Sequence, residues 1–451
     1  MKDGDFMKQN PKALALLCVA AMPVCLLCGC GSDMNTTDSA EAFKPSAGAP
    51  AAKGEAKPSD DAYVGDEGDA EAVPEPSAVE VEIAEDGAEK MDAAADVSSA
   101  DSDSKLTHEI TNTGEALVLT AGEWNDHENW GFFTNLVKSE LVSFPSFGLD
   151  PTGRIAVTVE KDGTPVRNQK VNLLDKDKNV LWSSVSDKNG NAYLFFTSQN
   201  QKDVAAVEVV GNAELYEYTV PKEADSQGSG LSVSQAELTV TADTPQTDNQ
   251  KTEVMFILDT TGSMGDEIAY LQKDFLAIAE DTAAENITYS VNFYRDSTDD
   301  YVTKCNPFTN SLEEVQSQLN QEYASGGGDE PEAVAEILEK TMVNAEWSED
   351  SNKIAFLIYD APPHDDKEDS LKQSIKTAAD KGIHLVPVVA SNGSRETELF
   401  GRAAAILTNS NYIFLTDDSG VGGSHLEPII GNYDVELLHD IIVRNIQEIA
   451  D

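Results

Sequence analysis

From residue 251 to residue 451 the chain repeats one pattern. A short apolar run comes first, and a segment with apolar residues at helical spacing follows. The clearest run is Val254-Met255-Phe256-Ile257-Leu258, after which Ile268, Leu271, Phe275 and Ile278 recur at helical intervals. Further runs at 287–293, 354–358, 383–390 and 412–416 predict strands, and 334–342 and 437–449 predict helices. Pro387 is awkward inside its run, because proline gives up a ladder hydrogen bond, but its neighbours are strongly apolar. Strands alternating with helices predict a doubly wound, Rossmann-like α/β domain over residues 251–451.

Upstream the period changes to two. Ile155, Val157 and Val159 alternate with polar residues, as do Val171 with Leu173 and Val207 with Val209. Gly163-Thr164-Pro165 and Asp187-Lys188-Asn189-Gly190 supply turns between them. Residues 151–225 therefore predict a small all-β sandwich. Residues 226–250 read as a polar linker holding one strand, with Leu238 and Val240 at strand spacing. Residues 105–150 carry an ordered segment of open role. Its Trp130, Phe132 and Phe133 suit core or interdomain packing.

Composition separates the remaining stretch. Between residues 30 and 104 Ala, Asp, Glu, Ser and Pro dominate, and aromatics are nearly absent. Such a segment buries too little apolar surface to offset its ordering entropy, so it reads as a disordered, self-repelling acidic tether. The net charge of −50 argues against nucleic acid as a partner, since phosphates call for cations. It suits a solvated protein that meets divalent ions. Cys18, Cys25, Cys28 and Cys30 lie near the start, which leaves Cys305 alone in the body. No disulfide framework follows, and Cys305 is expected to be a buried, inert thiol.

Lys2, Lys8 and Lys12 precede an apolar stretch over 13–27 that Pro23 interrupts. Residues 1–29 thus predict a secretory signal, too short and broken for a spanning helix. The stretch ends Leu27-Cys28-Gly29-Cys30, which resembles the bacterial lipoprotein box. The resemblance implies cleavage after Gly29 and lipidation of Cys30. Two acyl chains, at roughly 0.8 kcal/mol per buried methylene, would anchor the protein on the extracytoplasmic face of the membrane.

The chemistry concentrates after the strongest apolar run. Asp259, Thr261 and Ser263 place one carboxylate and two hydroxyls on one loop between a strand and a helix. In an open α/β sheet such junctions bind ligands, and oxygen donors suit a hard cation. The plainer alternative is a helix cap by Ser263 or Asp266.

The Asp-x-Thr-x-Ser motif resembles the metal-ion-dependent adhesion site of von Willebrand factor type A domains, with threonine for the usual middle serine. The resemblance continues through Tyr294-Arg295-Asp296, Gly326-Gly327-Gly328-Asp329-Glu330-Pro331-Glu332 and Tyr359-Asp360-Ala361-Pro362-Pro363-His364. It implies that Asp360 is a second carboxylate ligand. The family's threonine ligand has no clear counterpart: Asp329 stands nearest by position and Glu332 is the alternative. Asp329 equally suits a turn carboxylate capping a helix that starts at Pro331. His364 reads as part of a polar surface loop, and His425 as lining the same cleft. Residues 151–225 are similar to immunoglobulin-like modules related to carboxypeptidase regulatory domains; the expected role is a rigid spacer, with sugar or protein binding by the loops as the alternative. The Leu-Thr-Ala-Gly-Glu run at 119–123 looks like one that precedes the type A domain in bacterial surface lipoproteins.

The combined expectation is a membrane-anchored binding and adhesion lipoprotein, not an enzyme. It would present Mg2+, or Ca2+ or Mn2+, to an extracellular or envelope protein ligand. An envelope assembly or scaffolding factor is the first alternative. A metal-dependent hydrolase is the second, although no Ser/His/Asp order or His-Glu-x-x-His accompanies the carboxylates.

Overall fold

Strand β1 (Thr120–Trp124) and helix α1 (Trp130–Lys138) come first in a computed structural model that describes residues 118–220, 234–243, 251–282, 286–328, 330–419 and 424–450. Residues 1–29, the tether at 30–104, Cys30 and Asp329 lie outside the described residues. After α1 follow β2 (Gly153–Lys161), β3 (Thr164–Pro165), β4 (Lys170–Asp175), β5 (Val180–Val185), β6 (Asn191–Phe196), β7 (Val204–Val209), β8 (Tyr216–Glu217) and β9 (Ser234–Thr241). These make two four-stranded sheets, one of β3-β2-β6 with β9 on β2, the other β5-β4-β7-β8. The alternating residues Ile155, Val157, Val159, Val171, Leu173, Leu194 and Val207 meet in one apolar cluster between them. Strand β9, from the segment read as a linker, pairs with β2 in parallel from Gly153↔Ser234 to Glu160↔Thr241.

The remainder is β10 (Lys251–Asp259), α2 (Gly265–Asp281), β11 (Ile287–Tyr294), β12 (Thr303–Lys304), α3 (Leu312–Leu319), α4 (Val334–Leu338), β13 (Ser351–Tyr359), α5 (Glu368–Lys381), β14 (Ile383–Val389), α6 (Arg395–Leu407), β15 (Tyr412–Leu415), β16 (Glu436–Leu437) and α7 (Leu438–Ala450). The sheet order is β12-β11-β10-β13-β14-β15-β1-β16. The five strands from β11 to β15 are parallel, and the order reverses between β10 and β13. The apolar runs are continuous because both faces of the sheet are covered. Val254, Phe256 and Leu258 pack with Ile268, Leu271 and Phe275 of α2 and Ile441 and Ile442 of α7. Met255 and Ile257 join Val334, Ile375 and Phe400 on the other side. Pro387 sits inside β14, whose pairing with β15 begins only at Val388, so it falls where β14 has one neighbour.

The predicted helix at 334–342 is short: α4 gives way at Glu339 to a π-helical turn through Asn344. Cys305 corrects its expectation, being exposed just after the two-residue edge strand β12, where no layer covers it.

The first strand, Thr120–Trp124, belongs to the large sheet. Strand β1 runs antiparallel to β15, from Ala121↔Leu415 to Trp124↔Tyr412, and to β16. The two-sheet unit thus emerges between the first strand of the large sheet and the rest of it. Gly122 is required here, since a Cβ would lie 2.3 Å from the Phe414 ring. Asp126, just beyond β1, takes two hydrogen bonds from Arg402 of α6, Nε to Oδ2 at 2.9 Å and Nη2 to Oδ1 at 2.7 Å, and both residues are buried. Next to it His127 stacks on Tyr193 of β6 at 3.6 Å. Burial and the Arg154 guanidinium drive the His127 pKa down to about 3, so the ring is neutral. Arg154 donates to Nδ1 at 2.9 Å, which leaves Nε2–H to donate to the Ile406 carbonyl at 2.8 Å. One side chain therefore joins the N-terminal segment, the two-sheet unit and α6.

Candidate functional site

The crevice at the carboxyl ends of β10 and β13, where strand order reverses, gathers the acidic side chains. Asp259 ends β10 and Asp360 follows the end of β13. Asp259 is completely buried. Its Oδ1 accepts from the Thr261 backbone N–H at 2.8 Å and the Thr261 hydroxyl at 2.7 Å. Its Oδ2, equally buried, has no close hydrogen bond and faces the Tyr294 hydroxyl. The Ser263 hydroxyl lies 3.5 Å from that of Thr261, and Ser263 hydrogen-bonds Asp360. The short helical turn Gly262–Met264 and helix α2 start without any side-chain cap, so the capping alternative is not what these hydroxyls do.

A third carboxyl arrives from the glycine-rich loop. The Glu332 N–H donates to the Pro362 carbonyl at 3.1 Å, stitching this loop to the one after β13. Its buried side chain leaves Oε2 without a partner. Gly327, at φ +69°, makes room for it: a Cβ there would lie 2.8 Å from Glu332 Oε1 and 3.1 Å from Thr261 Cβ. Asp299 Oδ2 accepts from the Gly327 N–H at 2.8 Å and fixes the loop from the far side.

The electrostatics follow from crowding acids in a dry crevice. Burial, then the charge of Asp360, raises the Asp259 pKa to about 7. Burial, partly opposed by the Ser263 hydrogen bond, raises Asp360 to about 6. Burial, then Asp259, Asp296 and Asp360, raises Glu332 to about 9. The Tyr294 hydroxyl is buried beside them and faces Asp259, and burial and the same carboxylates hold its proton tightly. Burial is the first cause for each of the three carboxyl groups, and the charges that add to it are those of neighbouring acids.

The structure thus brings Asp259, Thr261, Ser263, Asp360 and Glu332 together. His364 instead hydrogen-bonds Asp296 at 2.9 Å. That bond holds Asp296 below the usual carboxylate range although burial pushes the other way. His425 belongs to a neighbouring chain of bonds: its Nδ1 meets Asp417 Oδ1 at 2.6 Å and its Nε2 meets Ser391 Oγ at 3.1 Å. Ser391 Oγ donates to Glu267 Oε1 at 2.8 Å, so its proton points away from the histidine, and Ser391 is only 3 % exposed. That is a strut between α2 and the loop after β14, not an accessible nucleophile. Glu267 escaped the sequence reading, and Tyr294 entered it only as part of a motif with no role of its own. Glu267 had a signal, since it shares the i, i+4, i+8 row of Leu271 and Phe275, where a carboxylate is out of place. Among the described residues no three acidic, histidine or cysteine side chains are placed to hold a metal ion by themselves. Any cation here would draw on hydroxyls as well.

Comparison with known proteins agrees with this topology. Residues 253–423 match the von Willebrand factor A domain family. An ariadne-like RING finger protein of Acanthamoeba polyphaga mimivirus is 31% identical over 121 residues, 26% of this chain. The match spans 12% of that relative's length. With its reversed strand order and the acid-lined crevice at the reversal, the C-terminal part of the chain contains a von Willebrand factor A domain at residues 253–423.

Proposed function

We propose that the A domain binds one divalent cation, Mg2+ or else Ca2+ or Mn2+, and uses it in recognising a protein ligand. Asp259, Thr261, Ser263 and Asp360 would hold the ion, and Glu332 would stand beside it. The observation that carries this reading is the fully buried Asp259 carboxyl, whose Oδ2 has no close hydrogen bond, set among hydroxyls that cap no helix. Two carboxylates and two hydroxyls are hard oxygen donors, the set such ions take. When bound, the cation supplies positive charge to a crevice that has an excess of negative charge. Glu332 adds an oxygen beside the ion, whose positive charge would favour its carboxylate against the burial that holds its proton in the cation-free crevice. The cation would then be what attracts an acidic side chain of a partner. Asp329 remains a candidate for the shell.

A domains commonly mediate protein–protein interaction, and this chain is read as a binding or adhesion protein and not as an enzyme. Lipidation at Cys30 would hold it on the extracytoplasmic face. The two-sheet unit would serve as an immunoglobulin-like spacer, and the partner would be an extracellular or envelope protein. Among the described residues no helix is long and apolar enough to cross a membrane.

Titration calorimetry of the full chain with Mg2+, Ca2+ and Mn2+ tests the reading. Wild type should bind one ion, and Asp259→Ala should bind none while keeping its circular dichroism spectrum. No heat at roughly millimolar ion, the weak end of protein sites for these cations, would remove the proposal.

A further inference from the structure

A second cavity lies away from the acidic crevice, in the seam between the two-sheet unit and helix α5. Its volume is about 190 Å3. That is below the roughly 300–1,000 Å3 of sites for drug-sized molecules, so any occupant is compact. Trp182, Phe195 and Phe196 of the two-sheet unit form apolar walls with Leu407 at the end of α6. Lys372 and Lys376 complete the lining from α5.

Thr197, Gln199 and Asn200 add neutral polar groups, and the charged groups of the lining are mostly cations. The two lysines stand one helical turn apart on the same face, where like charges repel. Neither forms an ion pair among the described residues. Lys376 Nζ donates to the Leu181 carbonyl at 3.0 Å and stands 5.9 Å from the Trp182 ring. Burial, then the Lys372 charge, lowers the Lys376 pKa. Trp182 is 8 % exposed, and its indole Nε1 is buried with no acceptor. The acid in the lining, Asp150, is engaged by the Thr152 N–H at 3.1 Å and the Thr152 hydroxyl at 2.5 Å. In a chain with 81 acidic and 31 basic residues, this cavity offers cations and a spare N–H donor around apolar walls.

We infer that this seam is a binding site for a compact monocarboxylate with an aromatic or branched apolar body. The carboxylate would face Lys372, Lys376 and the Trp182 N–H, and the body would pack on Phe195, Phe196 and Leu407. The inference is independent of the metal reading. Because the walls come from the two-sheet unit, α5 and α6, a bound ligand would fasten them together.

The test uses the full 15N-labelled chain and benzoate as probe, with benzyl alcohol as its uncharged counterpart and acetate as the anion without a body. Spectra of Trp182→Phe identify the Trp182 indole resonance among those of the four tryptophans. Benzoate should shift that resonance saturably, and benzyl alcohol and acetate should do so far more weakly. Lys376→Met should weaken benzoate by about tenfold or more, as removal of a partly buried charge partner does. The exposed Lys372→Met keeps the test open if Lys376→Met fails to fold, and should weaken binding severalfold. No saturable shift at roughly 10 mM benzoate, where even weak millimolar affinities show, overturns the inference. Equal response to benzyl alcohol, or unchanged affinity in Lys372→Met, overturns it as well.

Discussion

Replacing Glu332 by glutamine should stabilise the metal-free protein, and should do so only above the ordinary carboxylate pKa. Glu332 is 4 % exposed, and its pKa is raised from 4.5 to about 9. A raised carboxyl pKa means that the folded state holds its proton where the unfolded chain has lost it. The stability this group permits is therefore complete below about pH 4.5 and declines as pH rises towards 9, by up to about 1.4 kcal/mol per unit. At pH 7 the burden is on the order of 3 kcal/mol. Glutamine keeps the shape and does not ionise, so in EDTA at pH 7 the variant should melt higher by about 6 °C. The gap should close at pH 4.5 and widen towards pH 9. Saturating Mg2+ should narrow it, because a cation offsets the carboxylate charge that the variant lacks. The assay is thermal unfolding of the full chain followed by circular dichroism, at pH 4.5, 7 and 8.5, with EDTA or Mg2+. A difference that does not vary with pH, or a variant less stable than wild type at pH 8.5 in EDTA, would refute the reasoning.

Three further outcomes are expected. Asp126→Ala leaves Arg402 buried with the Ile429 carbonyl at 2.9 Å and, as its ion pair, the longer 3.4 Å contact to Glu398, and should cost about 3–5 kcal/mol in urea denaturation. A fragment beginning at residue 251 lacks β1 and bares the edge of β15, so light scattering should show it self-associating where the full chain does not. Cys30→Ala should accumulate as an uncleaved precursor that radiolabelled fatty acid does not mark. Normal processing of that variant would rule out the lipid anchor.

The parts of the fold that were legible are those whose information is contiguous. Val254 to Leu258 is apolar throughout because β10 is buried on both faces, and the same holds for β13. The loop after β10 carries its donors within five residues, so Asp259, Thr261 and Ser263 could be named together. Asp360 needed the position of a second strand end, which its own apolar run marks. Strand β1 was not legible: Thr-Ala-Gly-Glu-Trp has little strand character, and its partners are supplied by the far end of the chain. Glu332 appeared only as an alternative to Asp329, since a glycine-rich loop does not announce which of its acids turns inward. In the structure the Glu332 side chain is buried beside Gly327, and Asp329 lies outside the described residues. Cys305 failed because an isolated cysteine is usually interior, and the brevity of the edge strand before it gave no warning.

The pairing of β1 also imposes an order of events on synthesis. Thr120 hydrogen-bonds Thr416 across 296 residues. At roughly 5–20 residues per second, a ribosome that has released β1 works on for about 15–60 s before its partner exists. In that interval the two-sheet unit can close around its own apolar cluster. Trp130 and Phe133 of α1 can join it, since Arg154 stands 3.7 Å over the Trp130 ring and Phe144 lies 5.8 Å from that of Phe133. A strand of five residues with a glycine and a glutamate in it is a poor template for pairing with other nascent chains. The feature that hid β1 from the sequence reading is the same one that keeps it harmless until β15 emerges.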